Sequence, residues 1–355
     1  MSPPRPRPRP ITPPPGPDPG HTPPVRQRVA VLGTGAHLPA RRVTSAELTR
    51  ELDLAPGWIE ERTGIDARHV AAPGQAASDL AAHAARDALD AAGITPADVG
   101  LIVVGTSTPD ELGPSTACRV QALIGAPRAA AFDVAAACTG FVYGLHTAAG
   151  WLAVQHGASP YALVIGVEVY SRFLNPADRA TAVLFGDGAA AAVLGPTGPP
   201  HGIVAMGLGA DGTRAGDVLI PAGGSRAPAS PATLTGQGHT IHMDGRAVRE
   251  FITGTFPTLV TAALDQAGVK PGDLAKVVPH QPNPRLVASL APAAGLDPGQ
   301  LVITGRDVGN IGAASLPYAL HHAVTHRALP DRSLVLLAGF GAGLTWGHVL
   351  FCWRA

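Results

Sequence analysis

The stretch Ala88-Leu-Asp-Ala-Ala-Gly-Ile-Thr-Pro96-Ala-Asp98-Val-Gly-Leu-Ile-Val103 returns later in the chain. It reads there Ala263-Leu-Asp-Gln-Ala-Gly-Val-Lys-Pro271-Gly-Asp273-Leu-Ala-Lys-Val-Val278. Pro96 with Pro271, and Asp98 with Asp273, keep one offset of 175 residues (88 to 263). Each copy reads as a helix end stopped by glycine, a turn opened by proline, and an apolar strand. Leu163-Val-Ile-Gly166 and Leu336-Leu-Ala-Gly339 echo one another at an offset of 173 residues (166 to 339). Self-similarity on this scale predicts a duplicated α/β unit, each half repeating helix, strand, strand-to-helix turn and strand.

The first half's strand-to-helix turn is Asp133-Val-Ala-Ala-Ala-Cys138-Thr-Gly140, expected to be a buried strand running into a helix whose apolar spacing continues from Phe141 to Leu152. A thiol there would meet first-turn N–H groups and the positive end of the helix dipole, both of which favour thiolate. The same local sequence fits an inert core cysteine equally well. The duplication separates the two readings. Its offset carries position 138 onto Gly309-Asn310-Ile-Gly312-Ala-Ala-Ser315, a second tight turn into a small-residue helix. The twin of the strand Leu101–Gly105 ends just before His280. Ligands in open α/β sheets lie beyond the carboxyl ends of strands. Halves packed about a pseudo-twofold would therefore bring Cys138, His280 and Asn310 together.

Around this frame the chain predicts a strand at Val29–Gly33, a helix start at Thr44–Glu47 capped by Thr44 or Ser45, and a helix over Ser78–Gly93. A helix over Ser115–Ile124 and strands at Tyr161–Gly166 and Ala189–Leu194 complete the first half. Gly33-Thr-Gly35 lacks the third glycine and the downstream acid of a nucleotide fingerprint. Trp58 and Arg62 fall four apart on one helical face, either as a charged surface helix end or as a site for a flat, phosphorylated ligand. The segment Asp211–Asp244 reads as an irregular excursion that walls a ligand channel. Phe340-Gly-Ala-Gly343 reads as a turn whose N–H groups come close to a substrate oxygen.

Residues 1 to 27 carry proline so densely that a packed core is excluded, and they read as a disordered tail. A ligand for a proline-reading partner is the alternative. Over the full 355 residues the formal net charge is zero, which gives no bulk attraction to nucleic acid or anionic membrane. Cys118, Cys138 and Cys352 show neither metal-ligand spacing nor a disulfide framework, so no metal and a reduced, cytoplasmic setting are expected. His146, His242, His321 and His322 read as packing or surface residues.

From about Arg28 to its end the chain resembles the β-ketoacyl-acyl-carrier-protein synthase III family. The motifs are DVAAACTGF around Cys138, PHQPN around His280, GNIGAAS around Asn310, FGDGAAAAVLG, and GFGAGLTWG. The resemblance implies a thiolase-like α/β fold of two pseudo-symmetric βαβαβαββ halves in five layers (αβαβα), spanning 28–197 and 198–355. It implies a Cys138–His280–Asn310 catalytic group. Cys138 would take an acyl group from coenzyme A, with acyl-CoA as substrate and no resident cofactor. Malonyl-acyl-carrier protein would then supply the carbanion by losing carbon dioxide. The N–H groups of Cys138 and Ala342 would hold the oxyanion, and Phe340 would border the acyl site. Trp58 and Arg172 would sandwich the adenine, Arg62 would meet phosphates, and Asn283 the pantetheine arm. Arg285 and Arg249 would face the docked carrier protein, and a homodimer is implied.

Departures from the family pattern carry further expectations. Pro282 and Pro284 stand where relatives have Ala and Leu, which should stiffen the His280 loop and remove two donors. Glu250 replaces a lysine, which weakens the case for carrier-protein docking. Gly113 replaces an aromatic that floors the partner subunit's primer pocket, so a primer larger than acetyl is expected. Phe340–Gly343 lacks the second cysteine that a thiolase requires. Transfer of the acyl group to an alcohol or amine is the alternative chemistry.

Overall fold

The computed structural model describes residues 28–154 and 159–355; the proline-rich segment 1–27 lies outside the described residues. In the first half the main-sheet strands are β1 (Arg28–His37), β2 (Val99–Gly105), β3 (Ala130–Val134), β4 (Tyr161–Val169) and β5 (Asp187–Thr197), beside a small antiparallel pair, Arg41–Thr44 with Ala67–Val70. They form one sheet in the order β1-β5-β4-β2-β3, with β2 parallel to β3 and β4, and β5 antiparallel to both its neighbours. The second half supplies β6 (Gly202–Ala210), β7 (Leu274–Pro279), β8 (Leu334–Gly341) and β9 (Thr345–Cys352), in the order β7-β8-β9-β6. These orders superpose as twins, β1 on β6, β5 on β9, β4 on β8 and β2 on β7. The twin of β3 is reduced to one bridge, Leu301 with Val277, and a Val302 N–H donated to the Val277 carbonyl at 2.9 Å. Pro292, Gly295, Pro298 and Gly299 break the preceding segment into 3₁₀ turns, leaving no run long enough for a ladder.

Four helices complete the layers: α1 (Ala77–Ala92), α2 (Gly140–Val154), α3 (Gly245–Ala267) and α4 (Ser315–Thr325). Alternate residues of each strand face opposite ways, and here both faces are covered. Ile102 and Val104 pack under α1, whereas Leu101 and Val103 face α2. In β8, Val335 and Leu337 face the central helices and Leu336 faces α3. The central layer joins Phe141 and Leu145 of α2 to Leu316 and Leu320 of α4, all fully buried. Each such side chain contributes about 1.5–3 kcal/mol of transfer free energy. The five-layer αβαβα arrangement is thus what the chain adopts.

Two glycines explain how the halves meet. A Cβ on Gly166 of β4 would lie 2.1 Å from the Ala313 carbonyl oxygen. Its twin Gly339, on β8, would place a Cβ 2.9 Å from Val142 Cγ2 and 3.4 Å from Thr139 Cγ2. Each half's central strand therefore accepts the other half's turn. The echo of Gly166 in Gly339 marks this mutual contact.

Two expectations need correction. β1 extends to His37 rather than ending at Gly33, because β5 continues the ladder across a bulge between Val31 and Gly33. β3 is not buried: it is an edge strand with β2 as its one neighbour, and Phe132 is 38% exposed. Its Asp133 accepts the Thr116 and Ala117 N–H groups at 2.7 and 2.8 Å, at the start of the helix Thr116–Ile124. A carboxylate is favourable at that helix end.

Candidate active site

The Cys138 turn begins where β3 stops. Ala137 adopts φ 47°, and the 3₁₀ turn Ala137–Thr139 then opens α2. A left-handed alanine costs about 1–2 kcal/mol. Local bonds hold it there. Thr139 donates its N–H to the Ala136 carbonyl at 3.1 Å, and its hydroxyl to the same oxygen at 2.5 Å. The Thr139 and Thr345 hydroxyls share a bond of 2.7 Å, and Thr345 donates to the Ala342 carbonyl at 3.0 Å. The Cys138 turn and the glycine-rich turn are thereby stitched together. Among the described residues no protein acceptor meets the Ala342 N–H.

The second half repeats this turn at the same offset. Gly312, at φ 52°, stands 175 residues after Ala137, and the 3₁₀ turn Gly312–Ala314 opens α4. Ala313 is the twin of Cys138. Asn310 just upstream is buried and locked by its backbone: its N–H reaches the Leu184 carbonyl at 2.8 Å, and its carbonyl accepts the Gly186 N–H at 3.0 Å. Its Oδ1 accepts the Gly312 N–H at 2.9 Å and the Ser315 hydroxyl at 3.4 Å. That commits the oxygen to the turn. The Nδ2 amide, with no protein acceptor among the described residues, is the group left for a ligand.

His280 follows β7, with its N–H on the Ala338 carbonyl at 2.8 Å. It is 3% exposed, and burial pushes its pKa down to about 3, so the ring is neutral. Nδ1 is enclosed without a partner, so a ring protonated on Nε2 carries its donor on the other side. Gln281 clamps the loop from behind. Its amide donates to the Pro279 and Val302 carbonyls at 2.8 and 3.0 Å, and its oxygen accepts the Thr304 N–H at 3.0 Å. Pro284 costs the loop no hydrogen bond, contrary to expectation. It is the first residue of the helix Pro284–Ala288, where the N–H would have no partner anyway. Asn283 caps that helix, accepting the Leu286 N–H at 2.8 Å.

Cys138, His280, Asn310, Phe340 and Ala342 line one cavity of about 650 Å³, with Asn283, Arg62, Arg249 and Arg285 also on its wall. The 211–244 excursion lines it with Val218, Leu219, Ile220, Ile241 and Met243. Three expected residues are not around it. Trp58 lies under Arg62, whose guanidinium carbon is 4.4 Å from the ring centroid. Arg172 is turned onto its own chain, donating to the Ala72 and Pro73 carbonyls at 3.1 Å and also to Gln75. Gly113 lies in open space, with nothing within 4 Å of a Cβ built there.

The electrostatics correct the expectation of a thiolate. Burial, and then the Glu168 carboxylate, push the Cys138 thiol up to about 12; the Tyr170 phenol offsets part of this. At neutral pH the sulfur therefore carries its proton. Burial likewise raises Glu168 to about 7. Sequence reasoning passes over Glu168, Tyr170 and Gln281; an acid inside the apolar run Val167-Glu168-Val169 is the signal that marks the first of them.

Two layered halves that place a cysteine and an asparagine at twin turns, and a histidine at a strand end beside them, define a thiolase-like protein. Residues 264–353 match the family described as "3-Oxoacyl-[acyl-carrier-protein (ACP)] synthase III C terminal", and residues 132–212 match "3-Oxoacyl-[acyl-carrier-protein (ACP)] synthase III". A β-ketoacyl-[acyl-carrier-protein] synthase III from Symbiobacterium thermophilum is 43% identical over 325 residues, covering 92% of this chain and 98% of the relative. "Acetoacetyl CoA synthase NphT7" from Streptomyces sp. (strain CL190) is 44% identical over 328 residues, covering 92% and 99%. The crystal structure of the priming β-ketosynthase from the R1128 polyketide biosynthetic pathway superposes with a TM-score of 0.84 at 34% identity, covering 95% of this chain and 99% of that one. The chain belongs to the β-ketoacyl-acyl-carrier-protein synthase III family. No helix of the described residues is long and apolar enough to cross a membrane.

Proposed function

We propose that this enzyme carries an acyl group on Cys138 and condenses it with a malonyl thioester, with loss of carbon dioxide, to give a β-ketoacyl thioester. The observation that carries this reading is the set of unclaimed donors and the sulfur on one cavity wall. In the first step the Cys138 sulfur bonds to the acyl carbon, the carbon–sulfur bond to coenzyme A breaks, and the thiol proton leaves on the coenzyme A sulfur. The N–H groups of Cys138 and Ala342 stabilise the oxyanion. In the second step the neutral His280 and the Asn310 amide donate to the malonyl thioester oxygen. Decarboxylation leaves an enolate on that oxygen, its carbon attacks the Cys138-bound carbonyl, the bond from that carbonyl carbon to the Cys138 sulfur breaks, and the released thiolate takes a proton from water to regenerate the thiol.

A neutral His280 suits this role, since a ring already cationic would need a counter-charge in a dry pocket. Arg62, Arg249 and Arg285 supply the positive mouth for phosphates of coenzyme A or of a carrier arm. We assign adenine stacking to Trp58, with Arg172 released from its carbonyls to pair with it. The exposed β3 edge with Phe132, and Leu112 at 88% exposure, suit burial against a second copy. Gly113 would complete the primer pocket from that partner, and its lack of a side chain favours a primer longer than acetyl. A panel of acyl-coenzyme A primers tests this point. Longer primers should be preferred, and Gly113→Phe should move the preference toward acetyl; acetyl preference unaltered by Gly113→Phe contradicts it.

A second reading concerns delivery of the malonyl unit. Glu250 pairs with Arg246 at 2.9 Å, which removes positive charge from the face an acidic carrier protein would dock against. The Streptomyces relative's name points to a coenzyme A product. Malonyl-CoA as sole extender supports this reading if product forms without carrier protein. Acyl transfer to an alcohol or amine with no labelled carbon dioxide released would replace both readings.

A further inference from the structure

Glu168 is fully buried on β4, and no cation pairs with it among the described residues. A lone buried carboxylate is costly unless its oxygens are well supplied with donors. Here the donors come from both halves. The Ser107 N–H reaches Oε1 and Oε2 at 3.2 and 3.1 Å, and the Thr108 hydroxyl donates to Oε2 at 2.9 Å. From the second half, the Ala313 N–H reaches Oε1 at 3.3 Å. The Thr108 oxygen accepts the Val169 N–H at 2.8 Å, which aims its proton at Glu168.

The placement follows the internal symmetry. Ala313 is the twin of Cys138, and its N–H is the twin of the one proposed to hold the oxyanion. A Cβ on Gly312 would lie 2.6 Å from Glu168 Cγ and 2.5 Å from Tyr170 Cε2, so the turn is cut back to admit this acid. The anion-binding end of α4 is therefore already filled, while the matching end of α2 stays open. Asn310 hangs its own Oδ1 on the Gly312 N–H, one residue from the Ala313 contact.

We propose that Glu168 is a positioning residue that fills the second half's anion-binding turn, ties the Asn310 turn to the Ser107–Thr108 loop, and sets its charge against the Cys138 sulfur. The proposal rests on the reading of Cys138 as acyl carrier. The titratable groups facing Glu168 are the Cys138 thiol and the Tyr170 phenol; the Ser107–Thr108 loop and the Ala313 turn present neutral donors. Tyr170 stays neutral, since burial raises it further above its ordinary range.

The test compares the full-length enzyme with Glu168→Gln and Glu168→Asp in two assays: iodoacetamide alkylation of Cys138 against pH, and steady-state carbon dioxide release. The Glu168→Gln change removes the charge, so alkylation at about pH 9, where wild-type Glu168 is ionised, should rise about tenfold, equivalent to one pH unit. Its kcat for carbon dioxide release should fall about tenfold, with KM for the acyl-coenzyme A unchanged. The Glu168→Asp change keeps the charge on a side chain too short for the bridge, so this variant should alkylate as slowly as wild type and still lose kcat. A Glu168→Gln variant with the wild-type alkylation curve and wild-type kcat overturns the proposal. If that variant does not fold, a Glu168→Asp variant with wild-type kcat overturns it instead. A wild-type enzyme that takes no acyl group on Cys138 contradicts the proposed function itself, a distinct outcome.

Discussion

The two strand-to-helix turns of this molecule share a backbone and differ in what occupies them. Ala137-Cys138 and Gly312-Ala313 stand at one offset, both enter a 3₁₀ turn through a left-handed residue, and both open a central helix. At the first turn an alanine bears the strain and the following residue is the cysteine that lines the cavity. At the second a glycine relieves it, and the space gained is taken by Glu168 and Tyr170. One turn leaves its helix end open to the cavity; the other has closed the same end with a carboxylate. A duplicated fold can thus build one asymmetric site by filling one of two equivalent anion holes.

The largest way to break this comparison is to exchange the occupants. Cys138→Ala should abolish acyl-adduct formation and lower condensation by at least about 10⁴-fold. Adding Ala313→Cys should not restore an adduct, because Glu168 already takes that turn's N–H; intact mass measurement decides. Next in size are the donors of the second step. His280→Ala and Asn310→Ala should each lower carbon dioxide release by about 10²-fold or more, with acylation of Cys138 retained. Loss of acylation in either variant would move that residue into the first step.

Substitutions at the mutual contacts sharpen the comparison through stability. Gly166→Ala drives a methyl against the backbone carbonyl of Ala313 and should cost about 2–3 kcal/mol, whereas Gly339→Ala meets side-chain methyls of Val142 and Thr139 at longer distances and should cost about 1–2 kcal/mol. Urea unfolding midpoints would rank them. The smallest effect is on pH dependence. Because Cys138 is raised to about 12, little of it is ionised near neutrality, and alkylation should climb with pH from about 6 to 9, less steeply around pH 7 where Glu168 ionises and about tenfold per unit above that. His280, lowered to about 3, should add no inflection in that range. A plateau below about pH 9 would contradict the buried-thiol account.

Much of the fold was legible because the duplication is written in local signals. Pro96 and Pro271 open equivalent 3₁₀ turns, and the apolar runs after them become β2 and β7. That Cys138, His280 and Asn310 come together on one cavity was legible for the same reason, since they stand at the ends of repeated elements. The thiol's protonation was not legible, because it depends first on burial in the packed site and then on Glu168, thirty residues away in sequence. Nor was the exposure of β3, since an edge strand and a central strand can share an apolar sequence. Gly113 reads as a missing side chain, and its consequence depends on a second copy of the chain.

The central claim is that Cys138 carries the acyl group that a decarboxylated malonyl unit attacks. It is tested most directly by intact-protein mass spectrometry after incubation with acyl-coenzyme A, followed by addition of labelled malonyl thioester. The account predicts one acyl adduct per chain, located on Cys138 and absent from Cys138→Ala, which disappears as labelled carbon dioxide is released. No adduct with any acyl donor, or an adduct that persists in Cys138→Ala, would contradict it.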